Sequence, residues 1–166
     1  MTTIFPKSLA DTAAEVLESC RGAGLMLAVA ESCTGGMVAA CLSSIAGAST
    51  VLERGFVTYT NRAKEDMLGV PSRLFATVGA VSEEVARAMA EGALERSPVH
   101  LSVSVTGIAG PGGATAGKPV GLVHIASARK GRATLHERHV FSGDRDAVRR
   151  QATEAALGLL LRQVEY

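Results

Sequence analysis

Three segments of this 166-residue chain carry residue types that can do chemistry, and each follows an apolar run. The first is Glu31-Ser32-Cys33-Thr34-Gly35-Gly36, ahead of an expected helix. Hydroxyls and a thiol at a helix N-terminus sit beside backbone N–H groups that have no helical partner. Such groups can hold an anion or an oxyanion, and Gly35 and Gly36 would let a ligand approach the backbone closely. The same pattern is also that of a simple helix cap. The second segment holds Lys64, three residues after Asn61, a possible helix cap. A cation in a first helical turn opposes the helix dipole, and Arg62 stands close by, so both effects lower the lysine's pKa. That is the condition for a lysine general base, although most lysines are solvated surface groups. The third, residues 106–119, is rich in glycine and small residues. A connection of that length without secondary structure tends to be functional, and Thr106, Gly107, Gly110 and Gly112 can wrap a ligand. It ends in Lys118-Pro119 and so is not a Walker phosphate loop. Farther on, Arg145 follows Asp144 at the start of the last helix, where it can grip a phosphate or form a surface ion pair.

The elements that must position these residues follow from periodicity. Residues 8–20 read as an amphipathic helix with Leu9, Ala13, Val16 and Leu17 on one face. Residues 25–30 form a continuous apolar run, the pattern of a strand buried on both faces. A helix is expected over 37–44, a loop over 47–50, a strand over 55–60 and a helix from Asn61 to Leu68. A short helix over 72–76 precedes one opened by Ser82 and closed near Arg96. Strands are expected over 100–105, 120–128 and 134–141, the last two as a hairpin turning at Gly131. Asp144 caps the final helix. This order predicts an α/β fold, a three-layer α/β/α sandwich with a mixed, mostly parallel sheet of about five strands. No linker or repeat divides residues 1–166, so one domain is expected. Ligands of such sheets bind beyond the carboxyl ends of the strands, where all three segments fall.

Composition narrows the function classes. Hydrophobic residues are 47% of the chain and aromatics only 4%, with no tryptophan, so the core must be aliphatic. Seventeen basic and sixteen acidic residues leave a net charge of +1, without the basic excess of a nucleic-acid binder. No apolar segment approaches a membrane span. Residues 1–9 lack the apolar stretch of a signal peptide, so a cytoplasmic protein is expected. Cys20, Cys33 and Cys41 show no paired spacing that would indicate a disulfide or zinc site. His136 and His139, three apart in a strand, point to opposite faces, while His100 and His124 read as isolated. No metal site is expected.

Taken in order, the motifs resemble one family. Ala30-Glu31-Ser32-Cys33-Thr34-Gly35-Gly36 is similar to its opening motif, and Arg54-Gly55-Phe56-Val57-Thr58-Tyr59 with Asn61 and Lys64 to its second. Gly79-Ala80-Val81-Ser82, Thr106-Gly107-Ile108-Ala109-Gly110-Pro111 with Gly112-Gly113, and Phe141-Ser142-Gly143-Asp144-Arg145 follow. These resemble the CinA C-terminal-domain family, including its PncC-type enzymes, over about residues 9–161. The resemblance implies hydrolysis of nicotinamide mononucleotide to nicotinic acid mononucleotide and ammonia by a serine–lysine mechanism. It implies no metal or other cofactor, and a homo-oligomer. Larger members carry a further N-terminal domain, so this chain resembles the short form. Carried over by motif, Ser49 resembles the nucleophile and Lys64 its base, with Ser32, Tyr59, Thr106 and Arg145 as other functional positions. Many relatives have two serines where this chain has Ala48-Ser49. Tyr59 would orient the lysine and Arg145 would hold the substrate phosphate.

Topology and resemblance favour different serines. Ser49 precedes the expected second strand and Lys64 follows it, and a six-residue strand spans roughly 20 Å. Ser32 is expected at the same sheet edge as Lys64. Either Ser32 is the nucleophile, or residues 49–54 fold back, or the dyad forms between subunits. Two alternatives stay open: Cys33 as a nucleophile with a pKa lowered by the helix N-terminus, and a non-catalytic nucleotide-binding or competence-related module. Phe56, Phe75, Phe141 and Tyr59 are the candidates for stacking on a base.

Overall fold

A computed structural model of the chain describes residues 4–166, so the first three of the residues 1–9 read above as lacking a signal peptide's apolar stretch lie outside the described residues. The elements run α1 (Lys7–Gly22), β1 (Leu27–Glu31), α2 (Met37–Ser43), a 3₁₀ turn (Ala48–Thr50), β2 (Leu52–Val57), α3 (Asn61–Leu68), α4 (Ser72–Thr77), α5 (Glu83–Glu95), β3 (Leu101–Gly107), β4 (Leu122–Arg129), β5 (Leu135–Val140) and α6 (Arg145–Glu165). The strand order is β2-β1-β3-β4-β5. β1 pairs in parallel with β2 and β3, whereas β4 is antiparallel to both β3 and β5. Four strands therefore share one direction and β4 alone opposes them, as a hairpin after three parallel strands requires.

Aliphatic faces make the layers. Leu9, Ala13, Val16 and Leu17 of α1 join Val148, Ala152, Ala156 and Leu160 of α6 over Val29, Val103 and Ile125 of the sheet. On the other face Val85, Met89 and Ala93 of α5 meet Ala30, Leu68 and Val70, and Ala86 and Ala90 meet Ala126 and Ala128. The central strands β1 and β3 are buried on both faces, which explains their unbroken small and apolar sequences. Ser102 and Ser104 of β3 face α5 and donate to the carbonyls of Ala90 and Ala86 at 2.6 Å, so their hydroxyls are satisfied within the core. A methyl group on Gly92 would lie 2.0 Å from the Leu68 carbonyl oxygen, so α5 packs on the end of α3 only because residue 92 is glycine.

Several boundaries differ from the sequence reading. The second strand is Leu52–Val57, three residues earlier than expected, and the 47–50 loop contains the 3₁₀ turn. Thr60, not Asn61, caps α3: its hydroxyl accepts from the Ala63 N–H at 3.1 Å. Both residues are cap formers, and Thr60 alone has the extended backbone a cap needs. Ser82 and Asp144 cap α5 and α6 as expected, accepting from Val85 and Ala147. His124 is not isolated. Its Nδ1 lies 2.9 Å from His136 Nε2 across β4 and β5, with His136 Nδ1 3.6 Å from a Glu83 carboxylate oxygen.

Candidate active site

The carboxyl ends of the four co-directional strands deliver the functional segments to one edge. Glu31, the last residue of β1, pairs with Val57 on one side and Val105 on the other. The Ser32 N–H donates to the Val105 carbonyl, and the Thr58 N–H to the Glu31 carbonyl. Residues 32 and 58 thus leave the sheet at the same level. The 108–121 connection follows β3, and the start of α6 follows β5, at that same edge.

A cleft of about 280 Å³ opens there, lined by Ser32, Tyr59, Lys64, Thr106 and Arg145 among others. Lys64 reaches it from the first turn of α3 and is only 1% exposed. Its Nζ donates to the Thr58 carbonyl at 2.8 Å and lies 3.0 Å from Ser32 Oγ. Among the described residues no carboxylate pairs with it. Burial pushes the Lys64 pKa down to about 8, with Cys33 opposing weakly. Arg62 has no part in this: it points into solvent and pairs with Asp66 at 2.9 Å. The lysine is therefore shifted as a base requires, through desolvation and not through the neighbouring charge.

The turn that carries Ser32 is held from both sides. The Glu31 carboxylate folds over the start of α2, accepting from the Val38 and Ala39 N–H groups at 2.9 and 3.1 Å. Arg149 of α6 donates to the Cys33 and Thr34 carbonyls, each at 3.1 Å. Gly35 and Gly36 take φ of +58° and +105°, which lets the chain double back into the helix. One turn ahead of Arg149, Arg145 donates to the Gly110 carbonyl and to Tyr59 Oη, both at 2.8 Å. The Thr106 hydroxyl donates to the Ala80 carbonyl at 2.8 Å and so fastens the loop before α5 to the cleft wall.

With this geometry in place, similarity to known proteins can be read. The sequence profile of the CinA C-terminal domain matches residues 9–164. The chain belongs to the CinA C-terminal-domain family. Nicotinamide-nucleotide amidohydrolase PncC of Escherichia coli K12 is 49% identical to it over 149 residues, 90% of each chain. A CinA-like protein of Anaeromyxobacter dehalogenans is 56% identical over 137 residues, which are 82% of this chain and 33% of that protein. The chain thus spans about a third of that relative's length. The crystal structure of the competence/damage inducible protein CihA from Agrobacterium tumefaciens superposes with a TM-score of 0.95 at 44% identity, covering 99% of this chain and 100% of the other. That of the competence damage-inducible protein A from Klebsiella pneumoniae gives 0.91 at 34% identity, covering 95% and 98%.

Within this CinA-type domain, the residues singled out from sequence fall into separate places. Ser32, Tyr59, Lys64, Thr106, Gly107, Gly110, Gly112 and Arg145 all line the cleft. Ser49 does not. It sits exposed in the 3₁₀ turn before β2, in a different hollow with Ser43, Ile45 and Leu52. The neighbouring Thr50 hydroxyl accepts from Arg21 at the end of α1, at the opposite end of the sheet. The six residues of β2 separate Ser49 from Lys64, and the chain does not fold back over them. Within the chain, Lys64 meets Ser32 instead.

Thr34 is fully buried, and Thr34, Gly35 and Gly36 shape the turn without lining the cleft. Tyr59 does not orient the lysine. Its hydroxyl is held by Arg145, and the backbone carbonyl of the preceding Thr58 orients Lys64. Cys33 lines the cleft, but burial raises its thiol pKa to about 12, the reverse of an activated nucleophile. Of the aromatic candidates only Tyr59 faces the cleft. Phe56 and Phe75 pack beside the Met89 cluster, and Phe141 stacks on His139. Glu31, Arg149 and the Thr58 carbonyl went unassigned in the sequence. Glu31 stands in the opening motif, and the four-residue spacing of Arg145 and Arg149 on one helix face was the available sign.

Proposed function

We propose that this chain hydrolyses the carboxamide of nicotinamide mononucleotide, giving nicotinic acid mononucleotide and ammonia, with Ser32 as nucleophile and Lys64 as general base. The carrying observation is the buried Lys64 amine 3.0 Å from Ser32 Oγ inside the cleft. The substrate follows from the name of the E. coli relative, which matches this chain over 90% of its length.

A neutral lysine amine has two N–H groups and one lone pair. One N–H bonded to the Thr58 carbonyl turns the lone pair toward Ser32 Oγ, which then donates its proton to it. Oγ attacks the carboxamide carbon, and backbone N–H groups of the cleft wall take the developing oxyanion. Lys64 hands its proton to the departing nitrogen, the C–N bond breaks, and ammonia leaves an acyl-serine. A water then loses a proton to Lys64, attacks the ester carbon, and the released Oγ recovers that proton. Tyr59, fixed by Arg145, is the aromatic face available to the pyridine ring. The homo-oligomer implied by the resemblance belongs to this reading.

A module that only bound nucleotide would use a lysine as a charged anion contact, whereas burial disfavours the charge of Lys64 and sets its amine against a serine hydroxyl, which suits a base. The test is ammonia release from nicotinamide mononucleotide by the purified chain, with the acid product identified by mass. Release that disappears in Lys64→Ala supports the reading. Absence of release from folded protein overturns it.

A further inference from the structure

A second hollow, of about 220 Å³, opens beside the Ser32–Lys64 cleft. Ala80, Val81, Ile108 and Gly113 wall both, so the two form one continuous trough. Its far end holds Thr115 and Lys118, which bridge to each other at the tip of the 108–121 connection. The Lys118 ammonium donates to the Val78 carbonyl. A methyl group on Gly79 would lie 2.9 Å from Lys118 Nζ, so glycine at 79 leaves the space the ammonium occupies.

An ammonium has three donors, and Val78 takes one. Among the described residues no carboxylate pairs with Lys118, and no acidic side chain lines either part of the trough. A half-buried cation in an acid-free hollow focuses positive potential there and selects an anion. At the other end, Arg145 already holds the Gly110 carbonyl and Tyr59. Gly112 and Gly113 leave the wall between without side chains, so a bulky anion can come close to the backbone.

We propose that the Lys118 hollow is the anion subsite of the trough and takes the phosphate dianion of a ribonucleoside monophosphate, in place of the Arg145 end. The placing of the base end at Ser32 rests on the function proposed above, whereas the phosphate contact does not. Lys118 also straps the 108–121 connection to the loop before α5. Any N–H donor can serve as that strap, but only a cation adds the charge that favours a dianion over an uncharged ligand.

Calorimetric titration with ribose 5-phosphate, and with ribose as its uncharged counterpart, separates the two roles. Lys118→Gln keeps a donor for Val78 and removes the charge, Lys118→Met removes both, and Lys118→Arg keeps the charge. Thermal melts confirm that each variant is folded. The expected result is that wild type prefers ribose 5-phosphate to ribose at least tenfold, that the Gln and Met variants lose this preference, and that Arg retains most of it. The subsite is overturned if wild type shows no preference, if Lys118→Gln binds within twofold of wild type, or if only Arg145→Gln removes the preference. Ammonia release from nicotinamide mononucleotide, measured separately on wild type, reports the Ser32 reading. Its absence alongside a Lys118-dependent preference leaves the subsite standing and removes the reaction.

Discussion

Lys64 Nζ lies 3.0 Å from Ser32 Oγ although thirty-two residues separate them in the chain. The parallel register of β1 and β2 brings them together. Glu31 pairs with Val57, so Ser32 and Thr58 leave the sheet side by side, and the first turn of α3 carries Lys64 back over that edge. Burial then does the electrostatic work. Water is excluded from the amine, no acid among the described residues compensates it, and its charged form is disfavoured.

The pH dependence of catalysis follows. The free enzyme needs neutral Lys64, whose pKa is lowered to about 8. Below that value kcat/KM should fall about tenfold per pH unit, and above it should level off. A pH–rate series from 6 to 10 checks this, and a flat profile across that range contradicts a lysine base.

The same burial makes stability depend on pH. The folded-state pKa of Lys64, about 8, lies below its ordinary value of 10.5, so the unfolded chain binds the extra proton between those values. The destabilising effect is complete below pH 8 and is relieved as pH rises to 10.5. At about 1.4 kcal/mol per pKa unit, wild type should gain roughly 3 kcal/mol relative to Lys64→Met across that window. Denaturant unfolding of both proteins at pH 7 and pH 10.5 measures the difference. A constant difference would show that Lys64 keeps its ordinary pKa.

How much of this was legible in the sequence depends on how local the cause was. The buried runs at Leu27–Glu31 and Leu101–Gly107 announce central strands, because both faces of each are covered. The edge strand Leu52–Val57 is harder to read, since it is half-exposed and its charged residues resemble a loop. The β-rich Thr58-Tyr59-Thr60 that follows is diverted from the ladder: Thr60 caps α3 and the Thr58 carbonyl binds Lys64. The edge shared by Ser32 and Lys64 could be inferred from strand order. The depth of Lys64 could not, because it depends on α3 seating Leu68 against Val85, Met89 and Ala93 of α5, which turns the amine in toward Ser32 and the Thr58 carbonyl. Arg149 carried only the faint sign of its four-residue spacing from Arg145 until the fold sets it against the Cys33 and Thr34 carbonyls.

Cys33 offers a negative control. Its thiol pKa, raised to about 12 by burial, leaves almost no thiolate at neutral pH. Cys33→Ser should retain activity within about threefold, and iodoacetamide at pH 7 should leave the native enzyme active. Rapid inactivation with alkylation mapped to Cys33 would reverse the assignment.

The supports of the nucleophile turn should separate stability from turnover. Glu31→Gln keeps the shape but turns an NH₂ toward one of the two N–H groups the carboxylate now receives. A loss of about 1–3 kcal/mol in unfolding free energy is expected. Arg149→Met removes the donors to the Cys33 and Thr34 carbonyls and should lower kcat about tenfold with little change in KM. Steady-state kinetics beside thermal melts measure both. Wild-type kcat in Arg149→Met would show that the turn holds its shape unaided.

Two serines at opposite ends of the sheet, Ser32 and Ser49, decide which hydroxyl attacks. Ammonia release from nicotinamide mononucleotide should fall at least a thousandfold in Ser32→Ala, whose hydroxyl meets Lys64, and stay within about threefold of wild type in Ser49→Ala. Full activity in Ser32→Ala together with loss in Ser49→Ala would rule out Ser32 and move the nucleophile to the far end of β2.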